Sequence, residues 1–230
     1  MAVIVQEFKE PDFSGVWIGD DESSGMLEWV KGNGEKLVSG KVTPINEIWI
    51  DNNSSSEKIK VGGVSIGKKL IELQQKVVQD DMKIADFEWC ILDNELVMLQ
   101  YRPVTKQLLI NKNIKITEMN VGNKEILYGI PASRGEAFGK SKFVNKLSDL
   151  DKWNEGDILM TGYTDPDWIE IMSKSSGIVA AVGGFLCHTA IIAREFDIPC
   201  VTGIGEDSIK RIWDKEYIYL NGDTGEVHIN

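Results

Sequence analysis

The stretch GGFLCHTAIIAREFDIPC, residues 183–200, decides how the second half of the chain folds. Its two glycines allow a sharp turn and a close approach of neighbouring backbone. The apolar residues Ile191, Ile192 and Phe196 then recur at a helical spacing. The pattern therefore predicts a helix that begins at about His188, one of only two histidines in the chain.

The predicted position of His188 suits a nucleophile that carries a phosphoryl group. Unpaired amides and the macrodipole at a helix N-terminus stabilise negative charge and disfavour a protonated ring. An imidazole is also largely neutral near neutral pH, so it needs no strong base to activate it. A helix-capping or core histidine is the alternative, and residue type and position alone do not separate the two.

Composition limits the classes of function that remain. The 230 residues, 42% of them hydrophobic, are enough for one large or two small domains, and the net charge of −11 argues against a nucleic-acid partner. No run is long and apolar enough to span a membrane, and the start MAVIVQEFKE lacks the features of a signal peptide. Cys90, Cys187 and Cys200 have no metal-ligand spacing. We expect a cytoplasmic protein with reduced thiols and no membrane partner.

The distribution of patterns along the chain predicts a mixed α/β fold. Residues 65–79 have the spacing of one amphipathic helix, and the stretch FEWCILDNELVMLQYRP reads as two strands joined at Asp93-Asn94. Two short strands are expected around the glycine-rich corner within residues 26–44. Weak periodicity predicts a linker at residues 106–124, which would separate domains at 1–105 and 125–230.

The second half alternates helices and strands. After a strand entry at GIPASRGEAFGKSKFV, the residue patterns predict a short helix, a strand, the helix at His188, another strand and a closing hairpin. These elements correspond in order to IEIMSKS, GIVAAV, the quoted stretch, IPCVTG and YIYLNGDTGEVHI.

Three blocks in this half resemble the phosphohistidine, or swivelling, domain of the phosphoenolpyruvate-utilising enzymes, the family of phosphoenolpyruvate synthase and pyruvate phosphate dikinase. They are GIPASRGEAFG, TDPDWIEIM and GGFLCHTAIIAREFDIPCVTGIG, the last followed by NGDTGEV. The resemblance implies a swivelling β/β/α domain in which His188 is the phosphorylated, catalytic residue. Arg194 would answer the phosphoryl group or a docking surface, or be a solvated helix charge. Leu186 replaces the threonine that a regulatory kinase modifies in the family.

The first half resembles the C-terminal half of that family's ATP-grasp domain. The blocks are MAVIVQEF, SGVWIG, GNGEKLVSGKVTP and IADFEWCILDNELVMLQYRPVT. Carboxylate and amide oxygens suit magnesium and an arginine suits phosphate, and two residues two apart on a strand share a face. The alternative from the residues alone is a salt-bridged sheet surface. The resemblance assigns Glu88 and Gln100 to the metal, and Arg102 to the polyphosphate with a catalytic role.

The same resemblance implies an adenine-binding hinge and a nucleotide loop. The hinge would be Gln6, Glu7 and Phe8, and the loop would contain Glu35 in the GNGE corner. A Gly-Asn-Gly corner can also be only a turn.

Taken together, the resemblance implies a subunit or fragment of a phosphoenolpyruvate-synthase-like phosphotransferase that uses ATP and Mg²⁺. It begins within the ATP-grasp fold and includes no phosphoenolpyruvate/pyruvate barrel. It thus implies a partner chain with the N-terminal ATP-grasp lobe, and a separate acceptor-domain chain. Pyruvate is the default acceptor, and a biosynthetic or antibiotic hydroxyl compound is another. A non-catalytic interaction or regulatory protein that keeps the fold is the alternative.

Overall fold

The structure is a computed structural model, and its described residues form two compact units. The first comprises described residues within 8–34 and 45–103, and the second those within 35–44 and 120–229. The described residues are 8–54, 56–78, 85–103, 120–121, 124–146, 148–149, 153–164, 166–212 and 217–229. Most of the predicted linker lies outside them.

The first unit is an antiparallel six-stranded sheet with one helix on it. The sheet order is β4-β3-β2-β1-β7-β8, and a two-stranded ribbon, β5-β6, leads into the helix. The strands are β1 Phe13–Gly19, β2 Gly25–Lys31, β3 Ile45–Ile50, β4 Asn53–Ser54, β5 Lys60–Val61, β6 Val64–Ser65, β7 Ala85–Leu92 and β8 Glu95–Pro103. The helix, α2, is Ile66–Val78, which confirms the amphipathic helix predicted from spacing.

Large aromatic side chains fill the core between this sheet and α2. Trp17, Trp49 and Trp89 are fully buried and pack with Ile66 and Leu70 of the helix. Burying each large apolar side chain contributes about 1.5–3 kcal/mol, so this face holds the sheet and helix together. The opposite face of β7 is left to the charged residues described below.

Turn chemistry predicted one connection correctly and missed another. The hairpin between β7 and β8 turns at Asp93 and Asn94, whose φ angles of 50° and 61° are both left-handed, as a type I′ turn requires. The strand predicted after the glycine-rich corner is wrong. Residues Glu35–Val38 instead form a short helix, α1, and its Glu35 carbonyl accepts a bond from the Ser39 amide at 3.0 Å.

The second unit is built on a nine-stranded mixed sheet of order β11-β15-β14-β13-β12-β16-β17-β10-β9. The helices are α3 Ile169–Ser173, preceded by a 3₁₀ turn at Pro166–Trp168, α4 His188–Glu195 and α5 Glu206–Ile212. The strands are β9 Asn120–Val121, β10 Lys124–Tyr128, β11 Ile130–Ser133, β12 Glu136–Phe143, β13 Ile158–Thr161, β14 Gly177–Ala180, β15 Cys200–Thr202, β16 Tyr217–Asn221 and β17 Glu226–Ile229. The helices α3 and α4 and the closing hairpin confirm the sequence patterns, whereas α5 was not predicted.

The parallel strands β12 to β15 separate two apolar cores. On one face, Leu159, Ile178 and Cys200 pack against α3 and α4. On the other, Met160 and Val179 pack against side chains of the antiparallel strands. Side chains alternate between the two faces of a strand, and on these strands the side chains of both faces are apolar, as in buried parallel sheets. The mixed α/β class predicted from the sequence is confirmed.

Candidate functional site

Three loops of the second unit that carry polar residues gather at one edge of the sheet. Strands β13, β14 and β15 run parallel, so their carboxyl ends meet at the same edge. Thr164 follows β13, the loop leading to His188 follows β14, and Thr202 ends β15. In open α/β sheets this edge is where ligands bind.

The loop before His188 depends on glycine. Gly183 has a φ of 116°, and a Cβ there would lie 2.9 Å from the Cys187 Sγ. Both the backbone conformation and the available space therefore exclude a side chain. The next residue is also fixed, because the buried Thr202 hydroxyl donates to the Gly184 carbonyl at 3.1 Å.

His188 is the first residue of α4, as the sequence predicted. Cys187 caps the helix with an extended backbone, and its carbonyl accepts the Ile191 amide at 3.0 Å in the first turn. The imidazole is half-buried, and its Nε2 atom is buried. A phosphoryl donor must therefore approach the exposed part of the ring or displace the atoms that cover Nε2.

A pair of threonines ties the first turn of α4 to the loop after β13. The hydroxyls of Thr164 and Thr189 lie 2.7 Å apart, and each residue is about 1% exposed. Thr164 begins the TDPDW motif, and Trp168 of that motif is buried in the core under α3 and α4. Trp168 is thus a packing anchor, whereas Asp165 lies outside the described residues.

Arg194, in the last turn of α4, is bonded to the loop that precedes His188. Its Nη1 donates to the carbonyls of Ala132 and Phe185, both at 2.7 Å. Its guanidinium carbon lies 4.7 Å from the centre of the Phe185 ring. Arg194 is therefore bonded within the fold and is not simply a solvated helix charge. Its contact with a phosphoryl group or a docking surface, the other role considered from the sequence, stays a prediction.

The two cysteines near His188, Cys187 and Cys200, are both buried. Burial raises the pKa of the Cys200 thiol well above its ordinary value, and the neighbouring Cys187 raises it further, while Arg194 acts in the opposite direction. A thiol with such a pKa stays protonated and reacts poorly. The half-buried His188 imidazole is therefore more accessible than either thiol.

In the first unit, strands β7 and β8 bring together the residues predicted to bind metal and phosphate. Glu88 pairs directly with Gln100, and Asp86 pairs with Arg102, on the sheet face opposite α2. One extra residue in β8, Leu99, has no partner in the ladder, which marks a β-bulge at this point.

Arg102 lies between two carboxylates. Its Nη2 is 2.8 Å from the Glu88 Oε1, and its Nε is 3.5 Å from the Asp86 Oδ2. The Arg102 side chain is 47% exposed, so its fork can also reach a ligand. Sequence reasoning missed Asp86. The signal was its position two residues before Glu88 on the same strand, which places both carboxylates on one face.

The donor set here fits magnesium bound together with a phosphate ligand. Asp86, Glu88 and Gln100 offer carboxylate and amide oxygens, which Mg²⁺ prefers, and it commonly takes only one or two protein carboxylates besides substrate phosphates. Within the described ranges there is no group of three or more His, Cys, Asp or Glu that could hold a metal ion by itself.

Of the remaining predicted residues, only Phe8 and Glu35 are among those that the structure describes. Phe8 is 73% exposed, and Gln6 and Glu7 lie outside the described residues. Glu35 is exposed at the start of α1 and belongs to the second unit.

No helix in the described part of the chain is long and apolar enough to cross a membrane.

Comparison with known proteins identifies the family. Residues 153–225, which include α3, α4 and the loop at His188, match the family model described as PEP-utilising enzyme, mobile domain. A probable phosphoenolpyruvate synthase of Methanothermobacter thermautotrophicus is 33% identical over 266 residues, an alignment that covers 99% of this chain. The chain belongs to the PEP-utilising enzyme family.

Other relatives of this PEP-utilising chain carry the same name. A probable phosphoenolpyruvate synthase of Archaeoglobus fulgidus is 31% identical, and a phosphoenolpyruvate synthase of a Synechocystis species is 36% identical, each over 99% of this chain. The alignments cover 37%, 34% and 34% of the Methanothermobacter, Archaeoglobus and Synechocystis proteins, so the chain spans about a third of the length of these curated relatives.

The solved structures add little for this PEP-utilising chain. Aconitase X of Thermococcus kodakaraensis covers 46% of this chain and 98% of its own, with 18% identity and a TM-score of 0.35. A likeness this weak supports no argument on fold or function.

Proposed function

We propose that this chain is the phosphoryl-carrying part of a phosphoenolpyruvate-synthase-like phosphotransferase, with His188 as the residue that is phosphorylated. The observation that carries the proposal is the imidazole at the N-terminus of α4, on a glycine-dependent loop at the carboxyl edge of the parallel strands. The amides at a helix N-terminus stabilise an incoming anionic group. The family match over the same residues supports the assignment.

The strand pair β7–β8 is proposed as half of an ATP site of the ATP-grasp kind. Asp86, Glu88 and Gln100 would hold Mg²⁺, and Arg102 would exchange part of its carboxylate pairing for polyphosphate oxygens. Bound magnesium would neutralise charge that develops on those oxygens. The other half of the site would come from a partner chain that carries the N-terminal ATP-grasp lobe.

In the proposed reaction, a ring nitrogen of His188 donates its electron pair to a phosphorus of ATP, the β-phosphorus by family analogy. The nitrogen–phosphorus bond forms as the phosphorus–oxygen bond to AMP breaks, and water then removes the terminal phosphate as inorganic phosphate, which leaves one phosphoryl group on the nitrogen. The carrier domain then moves about the linker at residues 106–124, and an acceptor oxygen takes the phosphoryl group as the nitrogen–phosphorus bond breaks. Pyruvate on a separate acceptor domain is the default acceptor.

Intact-mass and peptide mass spectrometry at alkaline pH tests this function. The chain is incubated with Mg²⁺ and ATP, with and without the N-terminal lobe of a curated relative. We expect one acid-labile phosphoryl group on His188, formed only when the lobe is present. His188→Ala should abolish it, and His228→Ala, the matched control at the only other histidine, should not.

One observation favours a second candidate function, a non-catalytic interaction or regulatory protein. The Nε2 atom of His188 is buried, which would suit a histidine that is part of the packed structure. This candidate predicts no modification of His188 with any donor even when the lobe is shown to bind. Reaction of the ring with phosphoramidate, a small donor that needs no nucleotide site, would count against it.

A further inference from the structure

Arg194 lies in the last turn of α4, at the opposite end of the helix from His188. The two residues are six apart, or about 9 Å along the helix axis. The Arg194 side chain instead folds toward the loop that precedes the helix, where Nη1 donates to the Phe185 carbonyl at 2.7 Å. Phe185 is only three residues before His188, so this bond fixes the backbone that leads into the histidine.

The same nitrogen joins the loop to the sheet. Nη1 also donates to the Ala132 carbonyl in β11 at 2.7 Å, and the guanidinium lies over the Phe185 ring at 4.7 Å. One side chain therefore connects α4, β11 and the loop from Gly183 to Cys187. Hydrogen bonds from a charged donor are stronger than those between neutral groups, and a planar guanidinium can stack on a ring in a way that an ammonium cannot.

The loop from Gly183 to Cys187 has few restraints of its own, which makes the bonds from Arg194 important for its conformation. Its glycine at position 183 gives the backbone conformational freedom, and Cys187 makes no side-chain cap to the helix. Other hydrogen bonds hold the two ends of this segment. The Gly184 carbonyl accepts a bond from Thr202, and the Thr189 hydroxyl is bonded to Thr164. The backbone between Gly184 and His188 is the interval that Arg194 restrains.

We propose that Arg194 is a positioning residue for His188: by holding the Phe185 carbonyl against β11 it sets the orientation of the imidazole, without contacting the phosphoryl group. The orientation itself is independent of any reaction. Its consequence for phosphoryl transfer rests on the function proposed above. Misplacing a nucleophile by about 1 Å costs on the order of 100-fold in rate, so loss of the restraint should be visible kinetically.

Ring signals of the two histidines provide a test that does not require activity. The full chain is labelled with ¹³C and ¹⁵N in histidine, and His188→Ala assigns the two sets of signals. In Arg194→Gln, the ring shifts and tautomer balance of His188 should change while those of His228 stay the same. Arg194→Lys should restore them in part. Arg211→Gln, a matched control on exposed α5 that removes a bond to Ser208, should leave both sets unchanged.

Phosphorylation by phosphoramidate measures the consequence. Arg194→Gln should slow formation of phosphohistidine at His188 by about 10-fold or more, with Arg194→Lys intermediate. If Arg194→Gln does not fold, Phe185→Leu removes the stacked ring and should still shift the His188 signals. Unchanged His188 signals in the folded variants would overturn the proposal. Shifted signals in a protein that ATP never phosphorylates would uphold the positioning role and refute the proposed function instead.

Discussion

Glu88 lies directly opposite Gln100 because β8 contains one residue more than the ladder needs. From the turn outward, the pairs run Leu92 with Glu95 to Trp89 with Met98, and a regular continuation would place Leu99 opposite Glu88. Side chains alternate along a strand, so Gln100 and Arg102 would then point to the apolar face. The bulge at Leu99 shifts both residues to the face that carries the carboxylates.

Replacing Arg102 should separate its binding role from its structural role. Arg102→Ala removes a half-exposed ion pair, so the free energy of unfolding should fall by no more than about 1 kcal/mol. ATP-dependent phosphorylation of His188, assayed with the N-terminal lobe present, should fall by on the order of 100-fold, because a bidentate phosphate contact is lost. Arg102→Lys should be intermediate.

The exposed Lys9–Asp93 pair at the tip of the same hairpin supplies the control for Arg102. Lys9→Ala should change neither stability nor phosphorylation. Equal, small losses of stability in both variants with full phosphorylation in both would identify Arg102 as part of a salt-bridged sheet surface, the alternative left open by the sequence.

Local chemistry explains which features the sequence could predict. Three features depend on residues that are close in sequence, so they can be predicted without a structure: the Asp93-Asn94 turn, helix α2 and the start of α4 at His188. The Leu99 bulge cannot be predicted in this way. It arises because the turn fixes the register at one end of β8, whereas packing against the core fixes the register at the other end. Asp93 and Asn94 fix the first part of the register and Tyr101, packed on Phe87, fixes the last.

The roles of Glu35 and Arg194 illustrate a second limit. Short helix α1 replaced an expected strand because four residues carry too little periodicity to separate the two. The sequence does not predict the bonds of Arg194, because their acceptors, the carbonyls of Ala132 and Phe185, lie 62 and 9 residues away in sequence. Backbone carbonyls have no sequence signature, so such bonds are found only in the fold.

The Thr164–Thr189 pair gives a prediction for the first turn of α4. Thr189→Val leaves the buried Thr164 hydroxyl without its partner and should lower the free energy of unfolding by about 1–3 kcal/mol. Replacing both threonines by valine, which has the same shape, should recover most of that loss. Thr189→Ser keeps the hydroxyl and is the conservative control. Urea unfolding of the parent, Thr164→Val, Thr189→Val and the double variant completes a double-mutant cycle, and additive losses would show that the two hydroxyls do not interact.

Glu47 should make the first unit less stable as pH rises. This side chain is 2% exposed, and burial raises its pKa above the ordinary value of 4.5 despite bonds from the Lys58 amide and the Trp29 indole. The folded state therefore binds the proton more tightly than the unfolded state, and stability falls as pH rises from the unfolded pKa through the folded one.

Glu47→Gln removes this titration. The free energy of unfolding of Glu47→Gln, minus that of the parent, should increase as pH rises from below 4.5 to neutrality, whatever its value at the lowest pH. Fluorescence of the nearby Trp29 and Trp49 during urea unfolding at each pH measures it. Glu57→Gln is the control, since that partly buried carboxyl is paired with Lys68, which lowers its pKa, so its replacement should give the opposite slope. A pH-independent difference for Glu47→Gln would contradict the assignment.

Gly183→Ala should test whether the loop before His188 requires glycine for its conformation, its space or both. The φ of 116° disfavours any side chain, and the new Cβ would lie 2.9 Å from the Cys187 Sγ. Strain of the backbone alone costs about 1–3 kcal/mol, and the contact with sulfur adds to it. We expect a loss of stability above that range, together with slower phosphorylation of His188 by phosphoramidate.

Two variants divide the effect of Gly183→Ala into its parts. Gly156→Ala introduces a Cβ at a φ of 89° with no atom within 4 Å, so it reports the backbone term alone in the same unit. Adding Cys187→Ala removes the sulfur that the new Cβ would contact. In the Cys187→Ala background, Gly183→Ala should therefore lower the free energy of unfolding by about as much as Gly156→Ala does in the parent. If Gly183→Ala and Gly156→Ala instead cost the same, the contact with Cys187 contributes nothing, and the glycine is needed only because the chain turns through a left-handed conformation to reach His188.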